Sequence, residues 1–278
     1  MEIDTQSELQ LHQTIQKLAY DSAVFVKSQL CEGMTEMEAA DLLDEVLQKK
    51  GVRNFFHTSF VWFGDRTSFK NFQTYFDFQP TKRRLEKGMC VILDTAPALE
   101  GRACDIGYSF SYGENSEVEK AIQDLEIFRK VILQRILSEK TLGEIYREID
   151  SIIQEMGYKN CHQMYPAGVL GHKIGRLPFL QIPPIKVFGF HAQTFLYLLG
   201  ETIEGIRPKF GFGNHSVVPY WNTFSNHRAD VGFWAVEPHI GKGDIGVKWE
   251  EILVVTNSSA YWLDEDLPHV NAWKIKSC

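Results

Sequence analysis

Apolar residues along the chain follow a helical period in some segments and a strand period in others. Residues 7–30 and 35–51 carry apolar side chains every three to four positions, which predicts two helices. The second helix is predicted to begin at Thr35-Glu-Met-Glu38, a capping box in which both side chains accept hydrogen bonds from backbone amides. Residues 54–63 are rich in aromatic residues and predict a strand, whereas residues 64–84 show no clear period and predict a loop.

The second half of the chain repeats this order of elements. Capping boxes that begin at Ser116 and Thr141 predict one helix over residues 116–139 and another that ends at Gly157. The 16 positions from Thr141 to Gly157 equal those from residue 35 to residue 51. The repeat predicts two related αβ halves with the functional site between their sheets.

Residues 176–235 are the part of the chain with the weakest pattern. Three prolines exclude a long helix near its start, and residues 195–199 predict a short strand. Three histidines in this region are expected to be surface or hydrogen-bonded residues rather than ligands. These residues are Pro178, Pro183, Pro184, His191, His215 and His227. Residues 231–237 and 245–255 then predict two further strands joined as a hairpin.

Composition and charge limit the class of protein. The 278 residues are 44% hydrophobic and 23% charged, as in an ordinary globular domain, and we expect a single domain over residues 1–278. The net charge of −7 argues against nucleic acid or an anionic membrane as the main partner. The start of the chain lacks the pattern of a signal peptide, and the five cysteines are scattered. These features predict a cytoplasmic protein with reduced thiols.

The first candidate for chemistry lies in residues 90–110. Two strand-like runs flank Glu100-Gly101 and predict a hairpin, and each run carries one aspartate, Asp94 or Asp105. With an even-numbered loop these side chains lie on one face, opposite or nearly opposite each other. Two facing carboxylates repel each other, and a bound divalent cation removes that conflict. The alternative interpretation is that both aspartates are solvent-facing strand residues.

Three more candidate ligands follow. His172 lies between Gly171 and Gly175, Glu237 ends an apolar run, and Glu250 begins a strand-like run. The order aspartate, aspartate, histidine, glutamate, glutamate resembles that of the pita-bread metallopeptidases, which include methionine aminopeptidase, aminopeptidase P, prolidase and creatinase. The resemblance covers about residues 8 to 257.

This resemblance implies a fold and a metal centre. The implied fold is the pita-bread fold of the α+β class, with two pseudo-symmetric αβ halves around a curved antiparallel sheet and helices outside. The implied centre holds two divalent metal ions. Residues 1–34 are predicted to hold only a helix, so we expect no counterpart of the extra N-terminal domain of aminopeptidase P and prolidase. Manganese, cobalt, iron and zinc all suit a carboxylate-rich site with one histidine. The implied metal ligands are Asp94, Asp105, His172, Glu237 and Glu250.

The resemblance also implies how these residues divide the work. Asp94 would hold one ion, His172 and Glu237 would hold the other, and the remaining two carboxylates would be shared. Glu250 is preferred to Glu251 because the family's ligand opens the strand. Glu237 and His172 are the implied catalytic residues, and Glu237 would also relay a proton.

Several positions depart from the family pattern. Phe179 stands where family peptidases carry a second histidine, and Gly107-Tyr108 replaces the usual hydroxyl residue and arginine. The histidine of the loop before the first aspartate aligns with Lys70 or Asn71, whereas His57 lies too far upstream unless the loop is rearranged. We therefore expect a modified substrate pocket, with three candidate substrate-binding residues. These are Phe179, Tyr108 and His191.

Three functions remain open at this point. The first is an aminopeptidase-like or Xaa-Pro-peptidase-like hydrolase that cleaves a C–N bond of a small peptide with a metal-activated water. The second is a creatinase-like hydrolase of a non-peptide metabolite. The third is a non-catalytic module that binds a peptide or protein. The expected partner is a small peptide or peptide-like substrate, and a homodimer is compatible with the sequence.

Overall fold

The computed structural model describes residues 6–177, 186–187, 189–206 and 218–276, and these residues form seven α-helices and thirteen β-strands. The helices are α1 (Gln6–Gln29), α2 (Glu36–Lys49), α3 (Ser116–Asp124), α4 (Glu126–Leu137), α5 (Leu142–Glu155), α6 (Ala192–Ile206) and α7 (Pro268–Lys276). The strands are β1 (Asn54–Phe63), β2 (Cys90–Leu99), β3 (Arg102–Ala103), β4 (Ile106–Ser111), β5 (Lys159–Asn160), β6 (Gly171–Ile174), β7 (Lys186–Val187), β8 (Phe190–His191), β9 (Tyr220–Trp221), β10 (Gly232–Val236), β11 (His239–Lys242), β12 (Ile245–Val255) and β13 (Ala260–Trp262).

All described strand pairs are antiparallel, and their order is nearly symmetric about its middle. The main path of the sheet runs β7-β8-β1-β2-β4-β12-β10-β6-β9. Two triplets, β1-β2-β4 and β6-β10-β12, therefore meet where β4 pairs with β12. Each triplet is preceded in the chain by a helix that starts with a capping box, α2 or α5. This order matches the repeat predicted from the sequence.

The hairpin β2–β3–β4 has the register that the two aspartates require. Leu99 pairs with Arg102 across a two-residue turn, and Glu100 and Gly101 adopt φ values of 49° and 77°. Two left-handed residues in succession are typical of a type I′ turn, whose twist matches that of the strands. Asp94 consequently pairs with Gly107. Asp105 lies diagonally across the two strands from Asp94, and the two side chains share one face of the sheet.

Helices α1 to α5 and α7 cover one face of the sheet, and the sheet separates the core beneath them from the candidate site. Helix α1 packs against β2 and β4, where the Tyr20 hydroxyl donates to the backbone carbonyl of Glu250 at 2.7 Å. At the end of the sheet His12 of α1 stacks on Phe233 with ring centroids 4.0 Å apart. In the described residues no helix has the length and hydrophobicity required to cross a bilayer.

Three sequence predictions are wrong in their local detail. Residues 195–199 lie inside α6 rather than in a strand, because their apolar positions also fit one face of a helix. The helix at Ser116 is capped by Asn115, whose side chain accepts hydrogen bonds from the backbone amides of Glu117 and Val118. The predicted single helix is divided at Leu125 into α3 and α4. Residues 64–84 contain two 3-10 helices, Gly64–Ser68 and Tyr75–Phe78, instead of an unstructured loop. Pro178, Pro183, Pro184 and His215 lie outside the described residues.

Candidate metal centre

The five candidate ligands converge on the face of the sheet opposite the core, where residues of α6 help to line a cavity. Asp94 lies in β2, Asp105 directly before β4, His172 in β6, Glu237 directly after β10 and Glu250 in β12. Each of these residues is at most 8% exposed. Strands alternate the direction of their side chains, so the neighbour Glu251 points to the helices, where Arg129 donates to it at 2.9 Å. This geometry agrees with the choice of Glu250 over Glu251.

Asp105 lies between two imidazoles. The Nε2 atom of His57 is 3.2 Å from both carboxylate oxygens, and the Nε2 atom of His172 is 3.4 Å from Oδ2. Burial favours the neutral acid, but the charges and hydrogen bonds of His57 and His172 together outweigh it and hold the pKa of Asp105 below its usual range. Burial also opposes charge on His57, yet the Asp105 carboxylate raises the pKa of that histidine to about 9.

Lys248 occupies the centre of the other three carboxylates. Its Nζ atom donates to Asp94 Oδ2 at 2.6 Å, to Glu237 Oε2 at 2.8 Å and to Glu250 Oε2 at 2.9 Å. Burial disfavours the ammonium, but these carboxylates hold the pKa of Lys248 well above its ordinary value. Burial raises the pKa of Glu237, and it raises the pKa of Glu250 well above its usual value.

Three groups of described residues could hold a metal ion. Within each group, one ligand atom from each residue lies within 4.8 Å of the others. The groups are His57 with Asp94 and Asp105, Asp105 with His172 and Glu250, and Asp94 with Glu237 and Glu250. Lys248 donates to all three residues of the third group and to Asp94 of the first, whereas in the second group it contacts only Glu250 Oε2 and leaves the buried Glu250 Oε1 with no hydrogen-bond partner among the described residues. The residues present therefore fit one divalent ion at Asp105, His172 and Glu250.

The cluster forms the base of a cavity of about 580 Å³. Apart from the cluster, the described residues of the wall are almost entirely apolar or aromatic. They include Phe56, Phe60, Trp62, Phe78, Tyr165, Val169, Phe190, Phe195, Leu198 and Leu199. One wall residue, Phe56, stacks on the His172 ring at 5.2 Å and an interplanar angle of 9°, which fixes the orientation of that imidazole.

The structure corrects one prediction about substrate contacts, that of Tyr108. Tyr108 does not line the cavity, because β4 turns its side chain toward α1, where Lys27 Nζ is 3.3 Å from its hydroxyl. Lys70 is also outside the site, where it forms an exposed ion pair with Asp244. Asn71 is exposed and adopts a φ of 65°. Phe179 lies outside the described residues, and His191 lies in β8, its side chain not being described.

Two residues of the site were missed by the sequence analysis. His57 was placed too far upstream, but β1 pairs with β2 so that His57 faces Ala96 and reaches both aspartates. The register shifts between Phe55 and Phe60 turn the His57 side chain toward the face of the sheet that carries the aspartates. Lys248 had a usable signal, because it precedes Glu250 by two positions and must share its face of β12. His227 remains outside the cavity, as expected, with Nδ1 near the carbonyl of Arg228.

Comparisons with known proteins bear on the same residues. A family model described as Metallopeptidase family M24 matches residues 10–257. Bacillus subtilis (strain 168) YkvY, whose name provisionally assigns it as a dipeptidase, is 25% identical over 174 residues, 62% of this chain and 45% of that protein. X-Pro aminopeptidase from Thermotoga maritima MSB8 is 18% identical with a TM-score of 0.68, covering 96% of this chain and 63% of that one. Prolidase from Pyrococcus furiosus is 17% identical with a TM-score of 0.64, covering 93% and 64%.

The chain thus spans under half the length of YkvY and less than two thirds of each of these solved structures. Likeness at such low identity shows the fold, and it confirms the expected curved antiparallel sheet with helices outside. The family model covers most of the chain and includes all five candidate ligand positions. The chain belongs to metallopeptidase family M24.

Proposed function

We propose that this chain is a divalent-metal-dependent hydrolase that cleaves a C–N bond in a small, largely apolar substrate. The observation that carries the proposal is the position of the buried carboxylates and imidazoles at the base of an apolar cavity. Family membership supports hydrolysis. Aminopeptidase, Xaa-Pro peptidase and dipeptidase activities are candidate activities for this chain. They are suggested by the names of its relatives and by the sequence pattern.

The metal site in this proposal is formed by Asp105, His172 and Glu250. Oxygen and imidazole donors suit manganese, iron, cobalt or zinc. A divalent ion bound there would lower the pKa of a water molecule and polarise a substrate carbonyl. The second ion that the sequence predicts would need the three carboxylates that accept hydrogen bonds from Lys248. The proposed hydrolysis requires only the first ion.

Other residues of the cavity would position substrate and move protons. Burial raises the pKa of Glu237, which makes this carboxylate a better proton acceptor, so we assign it the proton relay. His57 also lines the cavity, but its Nδ1 atom lies 2.9 Å from the Thr58 carbonyl and its Nε2 atom 3.2 Å from Asp105, so we assign it the role of holding the Asp105 carboxylate in position. His172 stays oriented by Phe56 on its ring face and by the Lys173 carbonyl 3.3 Å from its Nδ1.

The cavity wall supports an apolar substrate. Above the base, its described lining is formed almost entirely by apolar and aromatic side chains, and its charged groups are confined to the base. A dipeptide with a free carboxylate would find no cation on the described wall above the centre, and burying an unpaired charge is costly. A substrate that is uncharged away from the scissile bond therefore fits better. This observation favours the second candidate function, hydrolysis of a non-peptide amide or related C–N bond.

A substrate panel tests the proposal. Metal-free protein would be loaded with manganese, cobalt, iron or zinc and assayed against charged dipeptides, Xaa-Pro dipeptides, apolar dipeptides and uncharged apolar amides. We expect metal-dependent hydrolysis, fastest for the apolar amides, with turnover lost in Asp105→Asn. The matched control is Asp244→Asn, which removes an exposed carboxylate paired with Lys70 and should leave activity unchanged.

Two results would count against the proposal. Preferential cleavage of charged dipeptides would refute the apolar substrate class and favour an ordinary dipeptidase. Binding of apolar peptides in the cavity without turnover under any metal would favour the non-catalytic module. The cytoplasmic location, the absence of nucleic-acid and membrane partners and the homodimer stay predictions, which fractionation, binding assays and light scattering would test.

A further inference from the structure

Lys248 lies inside the candidate metal centre, among three of its carboxylates. It precedes Glu250 by two positions on β12, so both side chains leave the strand on the same face. The Lys248 side chain is completely buried, and its Nζ atom lies 4.9 Å from the centroid of the Tyr165 ring. An ammonium group has three hydrogen-bond donors, and all three are used by the carboxylates of Asp94, Glu237 and Glu250.

The position of this ammonium coincides with a candidate metal position. Asp94, Glu237 and Glu250 form one of the three groups whose ligand atoms converge closely enough to hold an ion. The Lys248 nitrogen lies 2.6–2.9 Å from one oxygen of each residue, which places it among these ligand atoms. A divalent transition metal would need oxygens at roughly 2.0–2.2 Å from the same region. The ammonium and an ion cannot share this space.

The backbone opposite Lys248 leaves room for its aliphatic stem. Gly107, the partner of Asp94 in the β2–β4 register, faces that stem across the sheet surface. A Cβ atom at residue 107 would lie 2.4 Å from Cε, 3.0 Å from Cδ and 3.2 Å from Cγ of Lys248. Real Cβ atoms do not approach so closely, so any side chain at this position would force the lysine to move. The glycine and the lysine are therefore sterically matched.

The charge of the centre fits one divalent ion. The four carboxylates carry four formal negative charges, and Lys248 offsets one of them in a fully buried position. One divalent ion then leaves a single negative charge among these groups, which a protonated His57 beside Asp105 would offset, whereas a second ion would leave a net positive charge and would compete with the ammonium for the same oxygens. Buried charge is tolerated where it is paired. The free position is that of Asp105, His172 and Glu250, where Glu250 Oε1 has no described hydrogen-bond partner.

We propose that Lys248 acts as an internal cation that replaces one metal ion, so that the centre binds a single divalent ion at Asp105, His172 and Glu250. This inference rests on the metal site of the proposed function, but it concerns the number of ions and the role of the lysine. Lys248 is a positioning residue, because it holds three carboxylates in place without contacting the reacting atoms.

Ion counting tests the inference. Metal-free protein would be titrated with manganese, with bound metal measured by equilibrium dialysis and elemental analysis. We expect one ion per chain in the wild type and two in Lys248→Met, which keeps an unbranched stem but removes the ammonium. Electron paramagnetic resonance should show an isolated manganese ion in the wild type and a spin-coupled pair in the variant. The matched control is Lys120→Met, which removes an ion-paired lysine on α3 and should still bind one ion.

The wild-type count alone makes the inference refutable, even if Lys248→Met does not fold without metal. Two tightly bound ions in the wild type would overturn it, as would no bound ion, or a Lys248→Met variant that still binds one. If the variant is unstable, its melting temperature should rise more steeply with manganese than that of Lys120→Met, because the second ion replaces the missing cation. An inactive protein with the expected ion counts would refute the proposed function and leave this inference standing.

Discussion

Replacement of Glu36 by alanine should loosen one wall of the cavity. Glu36 opens α2, a position where a glutamate is normally solvated, yet its side chain is completely buried. One carboxylate oxygen accepts from the amide of Phe63 at the end of β1, and the other accepts from the amide and hydroxyl of Thr81. Arg66 Nε donates to both oxygens at 2.9 Å. The carboxylate thus ties together α2, β1 and residues 64–84.

The size of the effect follows from what is left behind. Loss of one partner from a buried ion pair costs about 3–5 kcal/mol, and each buried donor left unsatisfied adds about 1 kcal/mol or more. Arg66 is 16% exposed and keeps its bonds to the carbonyls of Asp77 and Gln79, which places the ion-pair part at the lower end. We expect Glu36→Ala to lower the free energy of unfolding by roughly 4 kcal/mol, and Glu36→Gln by about half as much because its amide oxygen still accepts.

Urea unfolding at neutral pH would measure this difference. The matched control is Glu45→Ala, which removes a glutamate from the exposed face of the same helix, where it pairs only with Lys49 at 3.5 Å. That variant should be close to the wild type. Equal losses for the two variants would refute the reasoning, since they would mean that the buried network around Glu36 contributes nothing beyond helix propensity.

Three further predictions follow from single residues. Burial lowers the pKa of His162 to about 3, so below about pH 6.5 the unfolded chain binds a proton that the folded chain does not bind. The free energy of unfolding should therefore fall by about 2 kcal/mol from pH 6.5 to pH 5. Urea unfolding of His162→Gln over the same pH range should show a correspondingly weaker dependence. Gly246→Ala would place a Cβ atom 2.0 Å from the Thr67 carbonyl oxygen, so it should yield little folded protein, as read by circular dichroism of the soluble fraction. Asp105→Asn should lose bound manganese in elemental analysis, whereas Asp244→Asn should retain it.

Local pattern was sufficient where the determining contact is close in sequence. The capping boxes at Thr35 and Thr141 form as expected, because the residues that make them are three positions apart. The relation between Asp94 and Asp105 also followed from the sequence, since a two-residue turn fixes the parity of the pairing. The same parity separates Glu250, which faces the centre, from Glu251, which pairs with Arg129 on the helix side.

Local pattern failed where the outcome depends on register between distant strands. His57 reaches Asp105 only because β1 contains two register shifts against β2, and no short-range signal in residues 54–63 marks them. The helical segment Ala192–Ile206 was misread because a run of aromatic and aliphatic residues fits a strand as well as one face of a helix. In both cases the packing partner, rather than the segment itself, decides the structure.

The metal centre combines these two situations. Strand alternation alone requires Lys248 to point to the same side as Glu250, so a cation next to the ligands is encoded within three residues. Whether that cation displaces an ion depends on Asp94 and Glu237, which lie on other strands, and on Gly107, which has no side chain to keep the lysine out. The number of ligand residues in the sequence therefore gives only the largest number of metal ions that the centre could bind. The number of ions follows from how many of those ligands already have a protein cation as their partner.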